Sequence, residues 1–181
     1  MLETPRLLLR RWQERDREPF RRMNADPRVM EFFACPLSAE QSDAMIDRIQ
    51  AHTALHGFGF FAAELRATGE FIGMVGLSHV PFEAHFTPCV EIGWRFAAEH
   101  WNRGYATEGA REWLRYARDD LALAEVAAFT VPANLRSRRV MEKLGMVCDP
   151  ADDFEHPRLP EGHPLRRHVL YRTIGLLQSH L

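Results

Sequence analysis

The order of apolar segments predicts an α/β domain of the α+β kind, in which helices pack on one mixed sheet. Segments with the two-residue period of strands are grouped in the first half of the chain, and strands alternate with helices in the second half. The 181 residues fit one domain with a sizeable core, so we expect residues 1–181 to form a single domain. Hydrophobic residues make up 46% of the chain and charged residues 27%, which is typical of an ordinary globular protein.

The first half of the chain contains two predicted helices among the strands. Ser38 followed by Gln41 has the pattern of a capping box, and Gly57 marks the end of the helix that this box starts. Asp26-Pro27 ends the preceding helix. The predicted elements are, in order, a strand at 6–12, a helix at 16–24, a short helical turn at 29–33, a helix at 38–57, strands at 58–65 and 71–80 joined by a turn at 67–70, a loop at 81–88 and a strand at 89–96.

Residues 91–112 join a strand to a helix and organise the second half of the chain. Val90, Ile92 and Trp94 alternate with polar or small residues, and apolar residues then recur at helical spacing from Ala106 onwards. Residues 102–107 bring small residues and an arginine to the helix start, where unpaired backbone N–H groups suit a phosphate. The later predicted elements are a strand at 125–131, a helix at 134–144, a strand at 146–148, a polar, proline-broken segment at 149–164 and a strand at 169–174.

Two known phosphate motifs and a turn without a ligand are weighed against this anion site from spacing alone. Gly104 and Gly109 have the glycine spacing of a nucleoside-triphosphate loop, but Ala110-Arg111 follows instead of lysine and a hydroxyl residue. The glycine pattern misses the dinucleotide fingerprint by one residue and lies past mid-chain, so a nucleotide-dependent oxidoreductase is a weaker alternative. A tight strand-to-helix turn without a ligand is the simplest reading.

Composition excludes several classes of partner. The net charge of −2 gives no overall field toward nucleic acid, and no apolar run approaches the roughly 20 residues of a membrane span. Cys35, Cys89 and Cys148 are odd in number and widely spaced, and the nine histidines are scattered, so we expect no metal site. The N-terminus has no apolar signal core. These features predict a cytoplasmic protein without direct nucleic-acid or membrane partners.

Two motifs together resemble a known family. Trp101-Asn-Arg-Gly-Tyr-Ala-Thr-Glu108 is followed, after a helix and a strand, by Asn134-Leu-Arg-Ser-Arg-Arg-Val-Met-Glu-Lys-Leu-Gly-Met146. This pair resembles the acetyl-CoA motifs of the GNAT superfamily of N-acetyltransferases, specifically its RimJ/RimL-like branch. Trp101 stands where the wider superfamily often has Gln or Arg, but that branch commonly has Trp there. The resemblance implies a GNAT-like domain with a mixed, mostly antiparallel central sheet flanked by helices, and acetyl-CoA as cosubstrate.

The resemblance also implies a set of cofactor-binding residues. The backbone N–H groups of Asn102, Arg103, Gly104, Tyr105, Ala106 and Thr107 would hold the pyrophosphate, and the Arg103 side chain would add positive charge. Arg95, Phe96 and Ala97 would pair by main chain with the pantetheine arm. Asn134 would hydrogen-bond that arm from the other side.

Two further residues are candidates for the chemistry. Acetyl transfer to an amine needs a base, and Glu91 lies in the strand just before the cofactor loop; the alternative is a solvated glutamate on the strand face. Relatives in the branch point to Ser137 as the group that meets the departing thiolate, and the alternative is a serine that serves the helix cap. Tyr171 is a second candidate donor. An acyl-enzyme on cysteine is less favoured because no His–acid partner set is evident.

The sequence therefore predicts an enzyme, an acyltransferase that moves the acetyl group of acetyl-CoA directly to a primary amine in a ternary complex. The acceptor is a protein or peptide N-terminus, a ribosomal protein included, or a small-molecule amine; the acidic segment 149–155 with Glu161, or a wall of Phe32, Phe33, Phe82 and Phe86, could receive it. The alternative is an acyl-CoA-binding sensor of the same fold without turnover. We expect a monomer or homodimer.

Overall fold

The computed structural model describes residues 1–176 and shows one mixed sheet with helices on both faces. The strands are β1 (Leu2–Glu3), β2 (Leu7–Arg10), β3 (Phe60–Leu65), β4 (Phe71–His79), β5 (Val90–Phe96), β6 (Ala127–Thr130), β7 (Val147–Cys148), β8 (Phe154–Glu155) and β9 (Arg167–Arg172). The helices of the described part are α1 (Arg17–Ala25), α2 (Ala39–His56), α3 (Tyr105–Asp119) and α4 (Leu135–Lys143). The predicted fold class is confirmed.

The sheet is antiparallel except at one place. Its strand order is β1-β2-β3-β4-β5-β6-β9-β7, and β8 also pairs with β9. The parallel step joins β5 to β6 through the crossover helix α3, and its register consists of the single pair Glu91 and Ala127. A parallel pair that meets at one position diverges beyond it, so the sheet opens between β5 and β6.

Two helix layers cover the two faces of the sheet. On one face α3 packs through Trp113 and Ala110, both almost fully buried, against strand residues such as Leu7 and Val75. On the other face α1 and α2 form a second cluster, with Phe20, Met23, Ile46 and Ile49 against Ala62 and Met74. Apolar side chains at helical spacing meet strand side chains that alternate between faces, which is the usual way in which such layers bury their surface.

The predicted start and end of α2 are confirmed in detail. The Ser38 hydroxyl accepts a hydrogen bond from the Gln41 amide at 3.2 Å, and the Gln41 side chain accepts one from the Ser38 amide at 2.9 Å. Gly57 ends the helix with a left-handed backbone at φ +79°. Glycine adopts this conformation without the Cβ clash of other residues.

The main differences from prediction lie in the polar segment and at the last strand. The predicted short helical turn at 29–33 is a run of hydrogen-bonded turns, in which the Met30 amide donates to the Asp26 carbonyl at 3.0 Å. The segment 149–164 contains the short strand β8. The last strand begins at Arg167 and ends at Arg172, while Ile174 is 71% exposed. β8 was not predicted because its two residues lie among prolines and charged residues, and only their pairing with β9 defines the strand. Within residues 1–176, no helix is both long and apolar enough to cross a membrane.

Candidate active site

A cavity of about 660 Å³ lies where β5 and β6 separate. It is lined by β5, the end of β6, the starts of α3 and α4, the turn around Phe32 and Phe33, and the segment that carries His156 and Arg158. All of the predicted site residues line it except Ala97 and Arg103. Most of the predicted site residues therefore line one cavity, although the two motifs that carry them are about 30 residues apart.

The register of β4 and β5 decides which backbone groups face the opening. Arg95 pairs with Met74, and the Ala97 amide donates to the Ile72 carbonyl at 3.0 Å. Because antiparallel neighbours alternate in direction, the backbone groups of Trp94 and Phe96 point the other way, toward the gap. On this register Arg95 and Ala97 direct their backbone groups to β4, whereas Trp94 and Phe96 present theirs to the gap.

Trp101 occupies part of that edge itself. Its indole N–H donates to the Phe96 carbonyl at 2.8 Å, and its ring lies 4.5 Å from the Arg136 guanidinium. The Phe96 amide remains directed at the opening. Trp101 thus joins the loop before α3 to the end of β5. This hydrogen bond gives a structural reason for a tryptophan at this position of the motif.

The start of α3 forms a backbone cradle toward the cavity. Gly104 and Asn102 have left-handed φ values of +82° and +59°, and no side chain caps the helix. The first-turn residues Tyr105, Ala106 and Thr107 line the cavity. Since the first amides of a helix lack partners within the helix, this end presents N–H groups and a partial positive charge to an anion.

Close packing and an anchor hold the cradle in place. A Cβ on Gly109 would lie 2.9 Å from Cγ1 of Val75, so only glycine lets α3 approach the sheet this closely. Glu108 in the first turn accepts hydrogen bonds from the Thr4 hydroxyl at 2.6 Å and from the Arg6 amide at 2.9 Å. The N-terminal segment thereby fixes the helix start.

Positive charge without a carboxylate partner surrounds the cradle. Within the described chain, Arg103, Arg139 and Lys143 have no ion pair, whereas Arg28 pairs with Asp26 and Arg136 with Glu31, both at 2.6 Å. Arg139 and Lys143 lie one turn apart on α4 and line the cavity. The free cations and the cradle fit the phosphates of acetyl-CoA.

Glu91 lies at the point where the two strands separate and lines the cavity. Its carboxyl group has no hydrogen bond or ion pair within residues 1–176. Burial raises the pKa of Glu91 to about 7, and the positive charge of Arg158 opposes this rise. A carboxylate with this pKa is a suitable general base near neutral pH, because it is both deprotonated and basic enough to take a proton.

Arg95 places a buried positive charge on the same face of β5 as Glu91. Its side chain is 9% exposed, donates to Oδ1 of Asn24 at 2.6 Å and lies 4.2 Å from the ring of Phe33. Nε has no partner in the described part of the chain, and burial lowers the pKa of the guanidinium to about 10. Sequence reasoning considered only the main chain of this residue.

Asn134 and Ser137 both line the cavity, but some of their hydrogen-bonding groups are engaged in the N-terminal cap of α4. Oδ1 of Asn134 accepts from the Ser137 amide at 3.2 Å, and Nδ2 donates to the Thr130 hydroxyl at 3.0 Å. One Asn134 amide hydrogen remains free of these contacts. The Ser137 hydroxyl has no hydrogen bond to any described residue, so it is available to a ligand.

Several other predicted positions lie away from the cavity. The Tyr171 hydroxyl is held by Arg138 at 3.2 Å and Glu142 at 3.3 Å inside the core, so its prediction as a donor is wrong in this structure. Phe82 and Phe86 pack with Phe154 in a separate cluster, whereas Phe32 and Phe33 line the cavity as predicted. The spacing of the phenylalanines in the sequence does not show which rings are buried in the core and which line the cavity.

The acidic segment is largely neutralised by arginines of β9 and the residue before it. Asp152 pairs with Arg172 at 2.8 Å, and Asp153 pairs with Arg167 at 2.9 Å. Glu155 lies 3.3 Å from Arg166. The segment is therefore a set of internal ion pairs, which removes most of the negative charge that was predicted to attract a cationic acceptor.

His156 and His168 line the cavity and were missed by sequence reasoning. Their rings lie 5.0 Å apart, and burial, with the neighbouring His168 and Arg158, lowers the pKa of His156 to about 4. Burial also lowers the pKa of His168, so both rings favour the neutral form. They come together only through the pairing of β8 with β9, for which the sequence carries no spacing signal.

Residues 6–147 match the family model described as an acetyltransferase (GNAT) domain. The chain belongs to the GNAT family of acetyltransferases, and it is an acetyl-CoA-dependent acyltransferase. This confirms the resemblance that its two motifs indicated.

Relatives and solved structures agree with this assignment. The chain is 35% identical over 146 residues to the uncharacterized protein YkkB of Bacillus subtilis, covering 80% of this chain and 84% of that protein. It is 36% identical over 157 residues to the FsC-acetyl coenzyme A-N(2)-transacetylase of Aspergillus fumigatus, covering 81% of this chain but 64% of that protein.

An acetyltransferase from Agrobacterium tumefaciens superposes with a TM-score of 0.77 at 29% identity, over 95% of this chain and 92% of the other. Mycobacterium smegmatis RimJ, solved with CoA-disulfide, has a TM-score of 0.72 at 21% identity, over 92% and 81% of the chains, and at that identity it shows the fold alone.

Proposed function

We propose that this protein transfers the acetyl group of acetyl-CoA to a primary amine by direct attack in a ternary complex, with Glu91 as the general base. The observation that carries the proposal is the Glu91 carboxyl, which is free of partners, has a pKa raised to about 7 and lies at the apex of the opening between β5 and β6. An aliphatic amine is mostly protonated at neutral pH and must lose a proton before it attacks.

Different residues contact acetyl-CoA and the amine acceptor. The start of α3, with Arg103, Arg139 and Lys143, binds the phosphates, and the amides of Trp94 and Phe96 meet the pantetheine arm. Glu91 and Arg95 lie on the face that α1 and α2 cover, where the acceptor enters beside Phe32 and Phe33. In the reaction the amine nitrogen bonds to the acetyl carbon, the carbon–sulfur bond breaks, and the departing thiolate takes up a proton.

Ser137 is the group that we assign to the departing sulfur. Its hydroxyl is free within the described chain and faces the cavity from the first turn of α4. The hydroxyl donates a hydrogen bond that stabilises the developing thiolate, and solvent supplies the proton. Tyr171, whose hydroxyl is held elsewhere, takes no part.

Direct transfer is supported over a cysteine acyl-enzyme. None of the three cysteines lines the cavity, and burial raises the pKa of Cys89 to about 11 and raises that of Cys148. A thiolate is the nucleophilic form of cysteine, so these shifts disfavour its attack. Initial-rate patterns that intersect in double-reciprocal plots, with no acetylated protein in mass spectra, are expected.

The acceptor class follows only in part from the relatives. The Aspergillus enzyme is named an acetyl coenzyme A-N(2)-transacetylase, and this name supports a nitrogen atom as the acceptor without choosing between a peptide and a small molecule. Thiol release should be measured with polyamines and aminoglycosides beside peptide N-termini. If no amine raises thiol release above background hydrolysis, a sensor that binds acyl-CoA without turnover becomes the better description.

The base is tested by the pH profile of kcat/KM for the best acceptor. The wild-type profile should rise through an apparent pKa near 7, and Glu91→Gln should lose this ionisation together with roughly 10²–10⁴-fold of the rate. Glu83→Gln removes a carboxylate from an exposed loop outside the cavity and is the matched control. A Glu91→Gln profile that keeps the wild-type shape would assign the proton to a water chain instead.

A further inference from the structure

Two histidines of α2 and one histidine of β4 come together at the end of α2. His52 and His56 are four residues apart in its last turns, and His79 is the last residue of β4. One ring nitrogen from each lies within 4.8 Å of the others. Nε2 of His52 and Nδ1 of His79 are 3.3 Å apart, and the ring centroid of His56 is 4.5 Å from that of His52 and 4.4 Å from that of His79.

These distances are close to those of a tetrahedral metal site. Zinc–nitrogen bonds of about 2.0–2.1 Å at tetrahedral angles place two ligand nitrogens about 3.4 Å apart. The pair from His52 and His79 already has this separation. The ligand nitrogen of His56 lies at most 4.8 Å from the other two, so it must move by no more than about 1.4 Å to reach the tetrahedral separation. The His56 side chain is exposed and can make this movement.

Neighbouring backbone groups also orient the proposed histidine ligands. Nδ1 of His52 lies 3.0 Å from the Phe58 carbonyl, which fixes the proton on Nδ1 and leaves the lone pair of Nε2 toward the other two rings. Metal-bound histidines commonly have such a carbonyl partner. The His79 amide also donates to Nε2 of His52 at 3.2 Å, and a metal would replace that contact.

We propose that His52, His56 and His79 bind one divalent transition-metal ion, with Zn²⁺ as the fitting species and water in the fourth position. None of the three lines the cavity, so the site is separate from the acetyl-transfer site. The ion joins the end of α2 to the end of β4, next to Ser78, which pairs with Glu91 across the ladder. Its role is to stabilise this corner of the sheet, with no step in acetyl transfer.

The test uses the untagged full-length protein, stripped with a chelator and then titrated with Zn²⁺ by calorimetry. One equivalent should bind saturably, Co²⁺ should give the absorption bands of a tetrahedral nitrogen site, and Zn²⁺ should raise the melting temperature. His56→Ala should weaken Zn²⁺ binding at least tenfold and abolish the thermal gain. His56 is exposed, so this variant is expected to fold, which its circular dichroism would verify.

His85→Ala removes another exposed histidine outside the cluster and should bind Zn²⁺ like the wild type. Equal Zn²⁺ affinity in wild type and His56→Ala, or no saturable binding in either, would overturn the proposal and leave the three imidazoles as an aromatic cluster packed around Phe58. The acetyl-transfer rate of the stripped protein should be unchanged, so this result does not depend on the proposed function.

Discussion

At the scale of single residues, the site uses burial to set the protonation of its key groups. Glu91 and Arg95 lie on the same face of β5, and burial moves the pKa of each toward neutrality, to about 7 and about 10. Neither has an opposite charge as a direct partner within residues 1–176. Such uncompensated groups destabilise a fold, so they are typical of sites that keep them for function.

The cost at Glu91 should be visible as a pH-dependent stability difference. The folded-state pKa of about 7 exceeds the unfolded value of 4.5, so the folded state binds the proton more tightly. The wild type is therefore penalised as pH rises from 4.5 to 7, and the full penalty persists above 7. The unfolding free energy of Glu91→Gln should therefore exceed that of the wild type by more at pH 8 than at pH 4.5. The increase in this difference should be of the order of 1–3 kcal/mol.

Urea denaturation of wild type and variant at both pH values measures this difference. Glu83→Gln, on the exposed loop, is the control for the loss of one carboxylate. A gain that is the same at both pH values would mean that Glu91 keeps an ordinary pKa in the folded protein.

Ser137 allows a catalytic role to be separated from a structural one. The cap of α4 uses the Ser137 amide and not its hydroxyl, so Ser137→Ala leaves this cap intact. We expect the melting temperature to stay the same while kcat falls roughly tenfold, about 1.4 kcal/mol, through loss of one hydrogen bond to the sulfur. Ser137→Thr keeps a hydroxyl and should retain more activity. A kcat equal to that of the wild type in Ser137→Ala would remove the hydroxyl from the mechanism.

At the scale of secondary-structure elements, α3 combines two glycines with different tasks. Gly109 lets the helix lie close to Val75, and Gly104 gives the left-handed turn of the cradle. Gly109→Ala should cost about 1–3 kcal/mol of stability through overpacking. Gly104→Ala should cost about 1–2 kcal/mol and also raise the KM for acetyl-CoA, because its backbone must shift.

Gly145→Ala is the matched control for Gly104→Ala. Gly145 has a similar left-handed φ of +76°, lies after α4, and has open space around its would-be Cβ. It should lose comparable stability without a change in the KM for acetyl-CoA. Equal KM effects in the two variants would indicate general loosening instead of a specific cradle.

The sequence predicted the elements whose signals are local. The capping box of α2, the alternation in β5 and the helical spacing of α3 all depend on neighbours within a few residues, and each was found within one or two residues of its prediction. The short strands β1 and β8 carry no such signal, because only their partners β2 and β9 define them.

The same distinction explains what could be predicted of the sites. The cradle and Glu91 are contiguous with recognisable motifs, so they were predicted. The Arg95 side chain, His156 with His168, and the cluster of His52, His56 and His79 are products of the tertiary fold. Sequence spacing gave no metal site because His79 lies on a different element from the other two histidines.

At the scale of the whole molecule, the division of the sheet creates the site. The antiparallel strands β1–β5 form one half and β6 with β9 the other, and the halves meet at the pair Glu91 and Ala127. Opening the sheet there exposes backbone amides of β5, turns the start of α3 toward the gap and leaves Glu91 at its apex. Glu91, which we propose as the base, and the start of α3, which we propose as the cofactor cradle, thereby line one cavity.

A ligand that spans this gap should stabilise the whole domain, since it joins the two halves of the sheet. Acetyl-CoA at 100 times its Kd should add about 2.7 kcal/mol to the unfolding free energy, which for a domain of this size is about 5–10 °C in melting temperature. NAD⁺ at the same concentration is the control and should give no shift, because the loop lacks the dinucleotide glycine pattern. Hydrogen exchange should slow most at the amides of Trp94 and Phe96 and in the first turn of α3. Equal stabilisation by NAD⁺, or protection remote from these amides, would place the cofactor outside the gap and contradict the assignment.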